Sequence, residues 1–293
     1  MLARIVTGAI GAALVLLVLA LPQPAPFILI AAIWIAAIHE LGVLLGEPKR
    51  RIFIVVLLHV ALLLIANVLF AFRGLYDLGN LRDFLVVLFG ALAVVQLQLG
   101  DFAIQAFHAS RPKCVNFVWH SLFFITVPLY LLWVETDFGP LLAVIVLGLA
   151  WSSDTGAMLA GKLFGHHHIT PRVSPGKTLE GVIGGWAAMT AFILLTKLAI
   201  SHVLGTPFAG ICLWKLNSML ATIIVVALFA AWLTLMGLVG DLTFSAIKRT
   251  AGVKDFSKAL PGHGGILDRI DALLFIIPWY FLGIALFSSR LFM

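Results

Sequence analysis

Apolar runs long enough to cross a membrane recur along the whole chain. At roughly 17–25 residues per span, they place helices at about 5–21, 27–46, 52–71, 84–107, 115–134, 138–163, 180–204, 217–239 and 266–289. A hydrocarbon interior offers no water to backbone N–H and C=O groups, so each run must satisfy them internally, as a helix. The predicted fold is therefore an all-α integral membrane protein, a polytopic bundle of about nine transmembrane helices. Composition excludes a soluble domain: 62% of the 293 residues are hydrophobic and 11% are charged, with mean hydropathy +1.12. The first run lacks a small-residue cleavage site and many spans follow it, so it reads as a retained helix rather than a signal peptide. Pro22, Pro24 and Pro26 break the chain before the second span, and no internal repeat is evident.

The sparse charges orient the bundle. Arg4, Lys49-Arg50-Arg51, Arg111, Lys113, Lys162, Arg172, Lys177 and the basic run after residue 244 fall on one side. Arg73, Arg82, Lys215 and Arg290 fall on the other, with Asp77, Asp83, Glu135 and Asp137 among them. The positive-inside rule puts the N-terminus and the basic run in the cytoplasm. The net charge of +6 then reports topology and an affinity for anionic lipid. No basic soluble domain exists to bind nucleic acid. Cys114 and Cys212 lack metal-type spacing and fall on opposite faces, which predicts two free thiols.

One run is polar, basic and glycine-rich between apolar neighbours: Ser245 to Asp271. Lys248, Arg249, Lys254, Lys258 and Arg269 are cations; Asp255, Asp268 and Asp271 are carboxylates; Gly262, Gly264 and Gly265 flank His263. Cations, backbone N–H groups exposed by glycine and spaced carboxylates suit a polyphosphate with a divalent cation. The run leads into a helix whose N-terminus adds anion-binding N–H groups. A second polar stretch carries Asp154 inside an apolar helix, where an ionisable group faces a polar cavity or a partner. Gly156, Ala160, Gly161 and Gly165 there form small faces for close helix packing. Ser174-Pro-Gly-Lys-Thr-Leu-Glu-Gly181 mimics a P-loop through Gly-Lys-Thr, but the upstream glycine and the preceding strand are missing. Lys177 still suits phosphate, and Glu180 suits a helix start. His166-His167-His168 reads as a loop cluster rather than a metal site. Glu40 and Asp101 are further intramembrane carboxylates.

These stretches resemble the phosphatidate cytidylyltransferase (CDP-diacylglycerol synthase) family. The family signature runs Ser, Lys-Arg, Lys-Asp, Pro-x-His-Gly-Gly, Asp-Arg and a final Asp. It is met by Ser245, Lys248-Arg249, Lys254-Asp255, Pro261, His263-Gly264-Gly265, Asp268-Arg269 and Asp271. Ser174 to Gly181 is similar to a second family element, and the likeness covers roughly Asp154 to Asp271. It implies a membrane enzyme joining CTP to phosphatidic acid, with Mg²⁺ as cofactor, in a homodimer of a bacterial-type inner (plasma) membrane, its active-site loops cytoplasmic. The implied catalytic residues are Lys248, Arg249, Lys254, Asp255, His263 and Arg269. Substrate binding would fall to Asp154, Ser174, Lys177, Thr178, Glu180, Ser245, Gly264, Gly265 and Asp271. The metal ligands would be Asp241 and Asp268, carboxylates from two different helices at the cytoplasmic rim. The chain would divide into N-terminal helices, 1–114, and a catalytic region, 115–293, with a signature loop at 241–271. Phe244 departs from a position where the family commonly has Glu, and Ala272 from a frequent Ser. The rival readings are a CTP-dependent polyprenol kinase and, less favoured, a transporter, which would require inverted repeats.

Overall fold

The computed structural model describes residues 11–21 apart from 12 and 20, then 25–72, 140–204 apart from 172, 218–260 and 264–288. The spans expected at 84–107 and 115–134, together with Asp101, Cys114, Cys212, Pro261, Gly262 and His263, lie outside the described residues. The chain is mostly helical. Among the described residues six helices follow in order: α1 (Ala25–Leu44), α2 (Lys49–Phe72), α3 (Pro140–Phe164), α4 (Leu179–Leu204), α5 (Met219–Thr250) and α6 (Leu267–Ser288). Among the described residues, three segments are long and apolar enough to cross a membrane: Ala143–Phe164, Leu179–Ala199 and Met219–Thr250.

Small residues and aromatic edges set the packing. Along α3 and α4, Gly156 and Gly184 bring the two backbones together; a Cβ on Gly184 would overlap that of Ala160, and one on Gly156 that of Ala188. This is the close contact that a small-residue face permits between membrane helices. Between α4 and α5, the Trp186 indole N–H donates to the Ala227 carbonyl at 2.8 Å. Between α5 and α6, Trp232 meets Trp279 edge-on at 4.9 Å. Phe244 is fully buried beside Phe275. α1 lies against both α2 and α6. Leu195, Leu220 and Leu228, by contrast, are more than half exposed. Such apolar exposure suits hydrocarbon and would be a liability in water.

Two features differ from the expected all-helical pattern. First, α5 continues to Thr250 instead of ending near residue 239, so Asp241, Ser245, Lys248 and Arg249 stand on a helix and not in a loop. Nothing in 240–250 breaks the helix, and the turn comes only at Gly252, whose φ of +72° favours glycine. Second, α3 and α4 are joined by a short antiparallel hairpin, β1 (His168–Thr170) and β2 (Ser174–Thr178). The stretch expected to serve only as a phosphate loop or helix start is thus itself a strand as far as Thr178.

Candidate active site

The hairpin is anchored at both ends. The Thr178 hydroxyl accepts the Gly181 N–H at 3.1 Å, capping α4. Glu180, in the first turn of α4, accepts the His166 N–H at 3.2 Å and the His167 N–H at 3.3 Å. The same carboxylate lies 2.5 Å from His167 Nδ1. Thr178 and Glu180 therefore hold the hairpin to its helix, and Lys177, just before them, reaches across to Asp241 of α5.

Asp241 is gripped from two sides. Ser245, one turn later on the same helix, donates its hydroxyl to Oδ1 at 3.4 Å, while Lys177 Nζ pairs with Oδ2. Burial lowers the pKa of Lys177, but the carboxylates around it, Asp241 first and then Asp154 and Asp271, together raise it, so the ammonium stays charged at neutral pH. Asp154 of α3 lies within electrostatic range of Lys177, Asp241 and Arg269. Asp271 of α6 lies within range of Asp241 and Asp154, and its Oδ1 accepts the Ala272 N–H at 2.8 Å. Four separate elements thus bring Asp154, Lys177, Asp241, Arg269 and Asp271 together. Asp154 and Arg269 are exposed, and Lys177, Asp241 and Asp271 are half-buried, so water and a ligand can reach this group.

A second set of charges is buried. Lys248 Nζ donates to Asp268 Oδ1 at 2.6 Å, with side chains 9% and 3% exposed. Asp268 Oδ2 accepts the Phe256 N–H at 2.8 Å and the Gly265 N–H at 2.9 Å. The Lys248 ammonium also sits 5.3 Å from the centre of the Phe256 ring. Asp268, expected as a metal ligand, has both oxygens committed to tying the loop onto α5 and α6. Arg249, expected at a phosphate, donates to the backbone carbonyls of Val253 at 2.9 Å and Val173 at 3.4 Å, joining the signature loop to the hairpin. Ser174 is half-buried in β2, and Lys254 and Asp255 are exposed. Gly264 has φ +79° and bridges to Leu260.

Phe244 points into the core rather than toward the carboxylates. Its ring meets Phe256 at 5.9 Å and Phe275 at 6.4 Å, both edge-on, so it seats the loop on the helix pair. Glu40, a minor candidate in the sequence, receives three hydrogen bonds from Ser257, Ile266 and Leu267. Its signal was a carboxylate inside an apolar helix. Its partners, on average over two hundred residues away, leave no local trace.

Among the described residues, no group of three or more His, Cys, Asp or Glu side chains is preformed as a metal centre.

Residues 2–287 match the model of the cytidylyltransferase family. A phosphatidate cytidylyltransferase of Thermotoga maritima is 40% identical over 159 residues, 54% of each chain. One from Bacillus subtilis is 39% identical over 138 residues, covering 47% of this chain and 45% of that protein. The uncharacterized protein YnbB of Escherichia coli is 43% identical over 143 residues, 49% of this chain and 42% of its own. The chain matches about half the length of these curated relatives.

Proposed function

The chain belongs to the cytidylyltransferase family, and on that premise we propose that it transfers the cytidylyl group of CTP to phosphatidic acid, giving CDP-diacylglycerol and pyrophosphate. The observation that carries this reading is the convergence of Lys177, Asp241, Asp154, Arg269 and Asp271 from three membrane helices and a hairpin. Cations and carboxylates brought together beside apolar helices suit a lipid phosphate meeting a nucleoside triphosphate.

A phosphate oxygen of phosphatidic acid attacks the α-phosphorus of CTP. The bond from that phosphorus to the bridging oxygen breaks, and pyrophosphate leaves with the electron pair. A phosphomonoester loses its second proton near pH 6, so the nucleophile is already anionic at neutral pH and needs no strong base. Catalysis then reduces to positioning and charge neutralisation. In this reading Lys177 and Arg269 hold phosphate oxygens, and Lys254 and Lys258 are exposed cations of the same signature run. Ser245 orients Asp241. Asp241 and Asp271, with Asp154 near both, are the carboxylates that would hold Mg²⁺, in place of the expected pair of Asp241 and Asp268. A bound Mg²⁺ would neutralise triphosphate charge. We place the site on the cytoplasmic side of a bacterial-type inner membrane, because Lys49-Arg50-Arg51 and the basic signature residues then share one face. We also keep a homodimer as the expected assembly.

The test is product analysis. Purified protein, phosphatidic acid, Mg²⁺ and CTP labelled in cytidine should yield a labelled lipid. Label that enters lipid only from the γ-phosphate, with release of CDP, would make the protein a lipid kinase and overturn the proposal.

A further inference from the structure

We infer that Glu40 is a positioning residue for the reaction, clamping the signature segment and the start of α6 from a helix far away in sequence. The inference rests on the cytidylyltransferase reading above. Glu40 lies in α1 and is 6% exposed. Its Oε1 accepts the Ser257 hydroxyl at 2.7 Å and the Ile266 N–H at 2.9 Å; its Oε2 accepts the Leu267 N–H at 2.8 Å. The residues are 217, 226 and 227 positions apart.

The geometry is that of a helix cap supplied by a different helix. The N–H groups at the start of α6 have no intrahelical carbonyl to reach, and a carboxylate there also meets the positive end of the helix dipole. Gly265 makes the approach possible, because a Cβ would stand 2.5 Å from Glu40 Oε2. Among the described residues no cation pairs with Glu40, so its charge is stabilised by these donors alone. If α1 only had to adhere to α6, an apolar side chain would serve at lower cost. What the carboxylate adds is direction. One group holds Ser257 at one end of the segment and Ile266 and Leu267 at the other. The first turn of α6 follows at once, with Asp268 toward Lys248 and with Arg269 and Asp271 in the field of Asp154 and Asp241. A small rotation or slip of α6 would move those last two side chains relative to Lys177. The N-terminal helices are therefore part of the catalytic apparatus through this one residue.

The experiment uses the full chain in detergent or lipid nanodiscs and compares Glu40→Gln with wild type. Gln places an NH₂ against the Ile266 or Leu267 N–H, so one cap bond becomes a donor–donor clash. We expect kcat to fall about ten- to a hundredfold, the range that a misplacement near 1 Å produces. The melting midpoint should fall by only a few degrees, because the clash strands a neutral N–H and no charge, and amide hydrogen exchange should rise in the peptide spanning 264–271 but not in α4. Glu40→Asp, which keeps the charge, should recover part of kcat. Turnover within about twofold of wild type, with unchanged exchange at 264–271, would overturn the inference. If Glu40→Gln does not fold, Ser257→Ala decides. A lower kcat at unchanged melting supports the clamp; unchanged kcat and unchanged exchange at 257–267 refute it. If wild type itself forms no CDP-lipid, the functional reading has failed, whereas the exchange difference still reports on the clamp.

Discussion

Asp268→Asn separates an anchoring carboxylate from a metal ligand. In the structure Asp268 Oδ1 faces the Lys248 ammonium and Oδ2 faces two backbone N–H groups. An amide cannot satisfy both sides. If its oxygen takes the Phe256 and Gly265 N–H groups, its NH₂ faces Lys248; flipped, its NH₂ faces the two N–H donors. In either pose Lys248, 9% exposed, loses its counter-charge. Breaking a buried pair from one side costs about 3–5 kcal/mol, a large part of the roughly 5–15 kcal/mol that holds a domain together. On the scale of large soluble domains, roughly 2–4 °C per kcal/mol, the melting midpoint in detergent should drop by about 6–20 °C. Adding Lys248→Met removes the stranded cation, so the double variant should melt above Asp268→Asn alone. A metal ligand behaves differently: Asn there spares the fold and lowers turnover by about a hundredfold or more. Asp268→Asn that melts like wild type, turns over a hundredfold slower and needs more Mg²⁺ would refute the anchoring argument.

The remaining predictions concern neighbouring positions. Asp241→Asn should lose at least about a hundredfold in kcat and little stability, because its pair with Lys177 is part-exposed at 31% and 21% and such pairs are worth roughly 1 kcal/mol or less; melting curves and steady-state rates decide. Lys177→Ala should raise the CTP requirement, and Lys177→Arg should restore only part of it, since a planar fork replaces a point charge. The folded-state pKa of Lys177 is raised by Asp241, so its ion pair is fully present below the ordinary lysine value and is lost only as pH rises through the raised one. The Lys177-dependent rate should therefore be flat between about pH 7 and 9, as a pH–rate profile would show. Phe244→Ala should cost about 3–5 kcal/mol, as for other buried aromatic truncations, and loosen the signature segment; wild-type melting would contradict its seating role.

How far the fold and site could be read in advance depended on whether the signal was local. Spans survived translation because hydropathy is additive over a window: expected limits of 138–163 and 180–204 became Pro140–Phe164 and Leu179–Leu204. The close packing expected of Gly156 and Ala160 was also present, since small-residue spacing is visible in one segment. The end of α5 was misjudged because apolar content falls after residue 239 while helical continuity does not. Asp241 and Ser245, one turn apart, support each other there. The hairpin was hidden because it pairs only a few residues, and its hold on α4 through Glu180 is tertiary. The motif drew attention to several carboxylates but could not distinguish their surroundings. Asp268 and Asp271 share a helix face in sequence, and only the structure shows the first held by Lys248 and two backbone N–H groups and the second half-buried near Asp241 and Asp154.

Exposure is what sorts these charges, and the reason is physical. A buried ion that changes partners must give up its hydrogen bonds where no water can replace them, at a cost of several kcal/mol. Lys248 with Asp268, and Glu40 with the start of α6, are in that position, so their contacts persist through a catalytic cycle and act as framework. Lys177 and Asp241 are part-exposed, and Asp154 and Arg269 more so. Water and incoming phosphate can replace the contacts those groups give up, so their pairing in the ligand-free protein is exchangeable. The Lys177–Asp241 pair then has a use before substrate arrives: each charge keeps the other from standing alone beside hydrocarbon. On the proposed reading, Lys177 would pair with a phosphate oxygen and Asp241 would be left to hold a divalent cation, with no net burial of unpaired charge. A single signature motif holds both kinds of charge within a few residues. The framework residues have to be rigid for the exchangeable ones to be aimed, which is why Asp268 and Asp271 can serve opposite needs from adjacent turns of α6.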